Sequence, residues 1–332
     1  MSLNRISLLT WKFFFYPALI LIFLLELFFQ VVFFFDIKSF KKTILFFNPY
    51  CDQSYWNYQG NSSYDENEYL HHSILTLVKK KNLKFFKKNI SKNTLSKQDK
   101  IIFYGSSFID HKYFIPNYKE NINFAVKSYG LDQIYKSYLL TKDNFKNKKI
   151  VIGFLIEDID RTIFDQRNFP KLRYQKIDGN YKITNTPILF KDIKNEKITF
   201  YTYNFIKNLI FLTLNEYNYK KNKCSIVYKK EIFQFFIDNI IHNSKLLNQD
   251  VIFVTFNFME DIKNPNWRYS FVKDYFLSKN VNHLDMSQII SDDLNNNDLN
   301  IFDYYNKEDS HLNSYGFNLL KNKINIAKEQ YK

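Results

Sequence analysis

Apolar positions fall into two kinds of run along the chain. The first is a single block at 13–35, FFFYPALILIFLLELFFQVVFFF, interrupted only by Glu26 and Gln30. As an α-helix rising ~1.5 Å per residue it is about 34 Å long, enough to cross a hydrocarbon core of ~30 Å. A core helix of a globular protein rarely stays apolar on every face for that length. The block also exceeds the ~7–15 apolar residues of a signal peptide, and no small-x-small cleavage site follows it. A transmembrane helix is therefore expected. A carboxylate at mid-membrane costs ~3 kcal/mol on insertion scales, which the Leu, Ile, Phe and Val around Glu26 can offset. Arg5 and Lys12 before the block nearly balance Lys38, Lys41 and Lys42 after it. Flanking charge therefore assigns no orientation.

The second kind of run is short and recurs after residue 99. KIIFYG (100–105), INFAV (122–126), KIVIGFLI (149–156) and DVIFVTF (250–256) read as buried strands, with VNHLDM (281–286) as a fifth. LDQIYKSYLL (131–140), EIFQFFIDNIIHNSKLL (231–247) and segments 269–277 and 312–327 have helical spacing. The second of these puts Phe233, Phe236, Ile237, Ile240 and Ile241 on one face. Strands alternating with helices predict an α/β fold, a doubly wound parallel sheet of the flavodoxin-like kind with helices on both faces. Residues 160–200 break the alternation and read as an insertion, with a β-hairpin at 174–185 turning at Asp178-Gly179. The organisation expected is an anchor with its flanks (1–42), a basic, aromatic-rich tether carrying a short helix at 67–78 (43–98), and the α/β domain (99–330).

Composition narrows the classes. The 332 residues carry 47 Lys and Arg against 33 Asp and Glu, a net charge of +14. With 45% hydrophobic and 24% charged residues the chain is globular rather than disordered. The aromatic share of 19% is mostly Phe and Tyr. The excess charge reads as Lys dispersed over the surface. No zinc-finger spacing, RNP motif or Arg-rich stripe accompanies it, so nucleic acid is not an expected partner. Segment 79–98 holds Lys79, Lys80, Lys81, Lys84, Lys87, Lys88, Lys92 and Lys97 with no acid. With Leu83, Phe85 and Phe86 it reads either as a strip resting on an anionic membrane or as a solvated linker. Cys51 and Cys224 form no metal pattern and no CxxC; whether they pair depends on a Cα separation that sequence leaves open. His71, His72, His111, His242 and His283 lack paired ligand spacing, so neither a metal nor a cofactor is expected.

In a doubly wound sheet, ligands meet the carboxyl ends of the strands. Gly105-Ser106-Ser107-Phe108 follows the first run, and Ser128, Tyr129, Gly130, Asp132 and Gln133 follow the second. Glu157, Asp158, Asp160 and Arg161 follow the third, and Asp309-Ser310-His311 precedes the closing helix. A Ser, a His and an Asp are what nucleophilic acyl transfer needs. The hydroxyl is weak alone, the imidazole takes its proton, and the carboxylate orients the imidazole. Asp158, Asp160 and Arg161 also fit a surface ion pair. Arg161, Arg167 and Arg173 fit contact with an anionic glycan, and Tyr174, Trp267 and Tyr269 fit stacking on sugar rings; solvated or core positions are the simpler alternatives.

These residues resemble the blocks of the SGNH (GDSL-like) hydrolases. Gly105-Ser106-Ser107 looks like the first block, with Ser107 at the nucleophile and Ser106 in place of its Asp. AVKSYGLDQ (125–133) and GFLIEDIDR (153–161) are similar to the second and third blocks. DSHLNSYG (309–316) is similar to the last, with Asp309 and His311 in the spacing of alginate O-acetyltransferase-like members. The resemblance implies an SGNH-type fold over 99–330 and a Ser107–His311–Asp309 triad. It also implies an oxyanion site near Ser128, Gly130, Glu157 and Asp158. Ser128 stands at the usual Gly position, where its backbone N–H still serves. Glu157 stands where the family has an Asn amide, and an ionised carboxylate only accepts hydrogen bonds. Glu157 protonates, or turns away and leaves Asp158 to brace the loop, or weakens the site.

Beside a cytoplasm-facing membrane-surface protein whose basic tether rests on anionic lipid, two functions follow as expectations. One is a single-pass membrane esterase or O-acyltransferase, its catalytic domain extracytoplasmic, acting on acyl esters of a cell-surface glycan, with lipid contacted through 13–35. The other is a catalytically weakened glycan-binding or assembly protein on the same fold.

Overall fold

The structure, a computed structural model, describes residues 3–35, 43–60, 64–86, 101–111, 113–114, 121–187, 197–214, 224–307 and 310–329. In chain order the elements begin with α1 (Leu3–Phe34), α2 (Gln53–Gln59), β1 (Tyr69–His72), β2 (Thr76–Lys79), β3 (Ile101–Gly105) and β4 (Ile122–Asn123). Then come α3 (Leu131–Thr141), β5 (Lys149–Leu155), α4 (Asp158–Arg161), β6 (Gln166–Arg167), β7 (Phe169–Pro170), β8 (Tyr174–Ile177) and β9 (Asn180–Ile183). The chain closes with α5 (Tyr201–Leu214), α6 (Ile226–Leu246), β10 (Asp250–Phe256), α7 (Met259–Lys263), α8 (Trp267–Lys279), β11 (Asn282–Asp285), α9 (Met286–Asn296) and α10 (Ser314–Glu329).

The chain forms two compact units, Met1–Gly60 with Lys194–Ser225, and Asn61–Ile193 with Ile226–Lys332. The second unit holds a five-stranded parallel sheet in the order β11-β10-β5-β3-β4. Numbered along the chain this is 2-1-3-4-5, the flavodoxin-like doubly wound order expected from the sequence. Successive strand residues face opposite sides. Ile102, Tyr104, Ile150, Ile152, Phe154 and Phe253 point into one core, packed with α3, α6 and α8. Ile101, Phe103, Val151, Ile252, Val254 and Phe256 point into the other, packed with α9 and α10. Burial on both faces explains why the strands read as continuous apolar runs rather than as alternating ones. β4 is shorter than its apolar run, because Phe124 and Val126 leave the ladder while their N–H groups still reach Phe103 and Gly105 carbonyls. The β8–β9 hairpin turns where expected, with Asp178 at φ 52° and Gly179 at φ 79°.

The described residues of 43–98 divide between the two units. Residues 43–60 belong to the helical unit and the described residues after Gly60 to the sheet unit. The expected helix at 67–78 is instead the antiparallel hairpin β1–β2. His72 Nδ1 accepts the N–H groups of Ile74 and Leu75, and Thr76 takes φ 71°, which closes a turn and stops a helix. Leu83, Phe85 and Phe86 face inward, with Phe85 and Phe86 against Phe124. Apolar burial thus takes the side chains that a membrane strip would have used. The remainder of the basic segment, 87–98, lies outside the described residues. The expected insertion is divided as well: β6 to β9 stay with the sheet unit and 197–214 join the helical unit.

The helical unit contains α1, whose stretch Phe13–Phe34 has a mean hydropathy of 2.4 and is long and apolar enough to cross a membrane. Phe29 and Phe33 of α1 pack with Phe46, Tyr201 and Phe205. Cys51 and Cys224 form a disulfide in this unit, with Cα atoms 5.2 Å apart.

Candidate active site

The turn after β3 carries Ser107. Ile109 and Asp110 donate their N–H groups to the Ser106 carbonyl, at 3.1 and 3.0 Å, which folds the chain back over the sheet. Two glycines allow it. Gly105 and Gly153 are paired in register, and a Cβ on Gly105 would meet the Gly153 carbonyl at 2.5 Å and Ile109 at 2.6 Å. With no side chains there, Ile109 packs directly onto the backbone of β3 and β5. Asp110, buried at the far end of the turn, accepts from the Tyr69 hydroxyl at 2.6 Å and from Lys79 Nζ. The β1–β2 hairpin therefore fixes the turn that presents Ser107.

His311 sits before α10. Ser310 at φ 56° turns the chain, and the bonds Asn306 N–H to His311 O (2.8 Å) and Asn313 N–H to Tyr304 O (2.9 Å) pin the segment. The imidazole packs against Phe108, ring centroids 4.6 Å apart, and stacks on His111 at 5.4 Å. Its Nε2 lies 2.8 Å from Ser107 Oγ. Residues 204 positions apart thus meet in hydrogen-bonding geometry at the end of β3, beside the switch point where the strand order reverses. Asp309 lies outside the described residues.

The oxyanion candidates separate. Ser128 holds φ 66°, and its Oγ accepts from the Asn168 amide at 2.9 Å. Gly130 does not offer its N–H: that group donates to Gln133 Oε1 at 3.2 Å, closing a cap on α3. Its role is spatial, since a Cβ there would meet Asp132 at 2.6 Å and Lys171 at 3.1 Å. Glu157 is half-buried before α4, 4.0 Å from the Arg161 guanidinium. It also stands close enough to Asp261 to help burial raise that carboxyl above its ordinary value. Asp158 braces the loop: its carboxylate accepts the Leu155 N–H at 3.0 Å and pairs with Arg161 at 2.6 Å.

Behind this surface lies a set of buried ion pairs that the sequence did not disclose. Asp158 and Arg161 are both buried, which corrects the expected surface pair. Asp132 pairs with Lys171 at 2.6 Å, and burial holds the Asp132 carboxyl up at about 6 despite the ammonium beside it. Asp160 accepts from both Lys229 and Arg268. Arg173 pairs with Asp165 at 3.2 Å, and Tyr174 is buried among Tyr135, Phe235 and Phe236. These contacts direct Arg161 and Tyr174 inward and hold Arg173 in a half-exposed pair with Asp165. Asn168, forty residues beyond Ser128, was also missed. The only local signal for it is an Asn, the residue type that best tolerates its φ of 59°. Among the described residues no group of three or more His, Cys, Asp or Glu is arranged to hold a metal.

The sequence matches no family model, and no curated protein matches it significantly. Among solved structures, it is similar to a proposed acylhydrolase from Bacteroides fragilis NCTC 9343, with TM-score 0.41 and 14% identity over 72% of this chain and 93% of that one. It is also similar to an acetyl xylan esterase, AlAXEase, with TM-score 0.38 and 13% identity over 69% of this chain and 98% of that one. At these values neither likeness carries an argument about activity. The fold assignment rests on the strand order, and the chemistry on the side chains.

Proposed function

We propose that the protein is a membrane-anchored serine esterase or O-acyltransferase of the SGNH type, acting on acyl esters of a surface glycan. The observation that carries this reading is the 2.8 Å approach of Ser107 Oγ to His311 Nε2. In the proposed reaction His311 removes the Ser107 proton as Oγ attacks the ester carbonyl. The tetrahedral intermediate forms with its oxyanion facing the N–H groups of Ser107 and Ser128. The imidazolium then gives its proton to the departing alcohol, leaving an acyl-serine. Water or a sugar hydroxyl, deprotonated by His311, attacks that acyl group, and the serine is restored. Asp309 is the residue that the resemblance assigns to orient the imidazole. The apolar α1 supports an anchor, and the Cys51–Cys224 disulfide supports an oxidising, extracytoplasmic side. Turnover of an aryl acetate by the full-length protein tests the reading. Ser107→Ala should remove it, and undiminished turnover would exclude Ser107 as nucleophile.

A specific observation favours a second reading, a weakened site used for binding. Gly130 has no N–H to spare, and Glu157 supplies a carboxylate where the resemblance calls for an amide. Losing one oxyanion donor costs ~3–4 kcal/mol in the transition state. Under the first reading Glu157→Asn should raise turnover or leave it unchanged. Under the second it should create turnover that the native protein lacks.

A further inference from the structure

We propose that α5 lies in the bilayer beside α1, so that the helical unit is a two-helix membrane module rather than a lone anchor. This rests on the reading of α1 as a span, and the test below separates the two.

Tyr203, Ile206, Leu209, Ile210, Leu212 and Leu214 of α5 are 40–58% exposed. Such a run on one short helix is the mark of an interface rather than of a water-facing surface. The other side of α5 rests on α1, with Phe205 against Phe29 at 5.5 Å and Tyr201 stacked on Phe33 at 4.7 Å between centroids. The depth of the contact identifies what covers the exposed side. Glu26 accepts the first N–H groups of α5, from Tyr201 at 3.2 Å and Thr202 at 2.8 Å. Glu26 precedes the end of the apolar stretch at Phe34 by eight residues, so α5 begins level with a point ~12 Å inside that end. A helix starting at that depth faces the surroundings that α1 faces, and for a span those are acyl chains. With 14 residues, α5 is ~21 Å long, too short for a second crossing.

Several polar groups fit this solvent, which tolerates them only when they are satisfied internally, the Thr202 hydroxyl being the exception. The Asn204 amide donates to the Phe200 carbonyl at 3.0 Å, and the Thr213 hydroxyl to the Leu209 carbonyl at 2.8 Å. The Asn208 amide reaches the Ile44 and Leu45 carbonyls. Glu26, anomalous in the sequence as a lone carboxylate within a span, also accepts from Gln30 at 3.0 Å. Lys207 is the one charged residue of α5; its aliphatic stem lets the ammonium reach the head groups.

The test uses full-length protein in phosphatidylcholine vesicles. A solvent-sensitive fluorophore is attached to single added cysteines, Leu209→Cys, Leu212→Cys, Ile22→Cys on α1, and Asn180→Cys on the β8–β9 hairpin. Quenching by doxyl-labelled lipid is compared with quenching by aqueous iodide. Expected is several-fold stronger lipid quenching at 209, 212 and 22 than at 180, with iodide showing the reverse order. If 22 is quenched by lipid while 209 and 212 are quenched by iodide, α5 lies in water and the proposal fails while the anchor stands. If 209 and 212 are shielded from both, a protein surface covers α5 and the proposal also fails. If 22 itself escapes lipid quenching, the anchor reading fails and takes the proposal with it.

Discussion

The two units treat polar and apolar groups in opposite ways. In the helical unit Phe14 and Phe34 stand 79% and 83% exposed, while the Glu26 carboxylate is turned inward onto two backbone N–H groups and a Gln amide. In the sheet unit Ile102, Ile150 and Val254 are fully buried on one or other face, and among the described residues the buried carboxylates have a cation beside them, as Asp160 does with Lys229 and Arg268. Burial of apolar surface stabilises the sheet unit by ~25 cal/mol per Å² removed from water. The same arithmetic counts against α1 and α5 in water and vanishes in hydrocarbon. The exposed apolar side chains of α1 and α5 are what the proposed membrane setting would cover. The Ser107–His311 pair sits in the sheet unit, at the ends of its strands.

If that division holds, damage to one unit should leave the other's readout intact. The largest effect should come from Ser107→Ala: turnover of an aryl acetate falls by ~10³-fold or more, with vesicle association unchanged. Next is Asp160→Ala, which strands two buried cations. It should cost ~3–5 kcal/mol, read as a lower denaturant midpoint for loss of the sheet unit. A pH effect of roughly 1–3 kcal/mol follows from His283. Burial, with Lys273 nearby, pushes its imidazole down to about 4. A base with a depressed folded pKa contributes full stability above its unfolded value and loses it as the ring is forced to charge. Stability should therefore fall between pH ~6.5 and ~4. His283→Gln should flatten that decline without touching activity at neutral pH. Glu26→Ala should cost ~1–2 kcal/mol, confined to the helical unit, and appear as roughly tenfold faster amide exchange across Tyr201–Leu214. Smallest is Lys176→Ala. Its pair with Glu231 at 2.9 Å is exposed, so the denaturant midpoint should move by under about 1 kcal/mol.

Legibility in the sequence followed the same division. KIVIGFLI and DVIFVTF announced central strands because a strand covered on both faces needs no polar alternation, and the parallel order followed from the helices between them. The approach of Ser107 to His311 was legible because each follows or precedes an element at the end where a doubly wound sheet gathers its ligands. What escaped notice was held by distant partners. Lys79 reads as the start of a basic linker until Asp110, 31 residues on, neutralises it, and Asp160 reads as surface until Lys229 arrives from 69 residues away. The β1–β2 hairpin was mistaken for a helix because its turn depends on a His72 ring nitrogen. No periodicity reports such a contact. α5 went unassigned because an evenly apolar helix shows no core-facing stripe.

The most direct test of the central claim is intact-mass analysis after a serine-directed fluorophosphonate, with peptide mapping of the adduct. A single adduct on Ser107, lost in both Ser107→Ala and His311→Ala, is the expected result. An unmodified protein, or an adduct that settles on another serine and survives both substitutions, would contradict it.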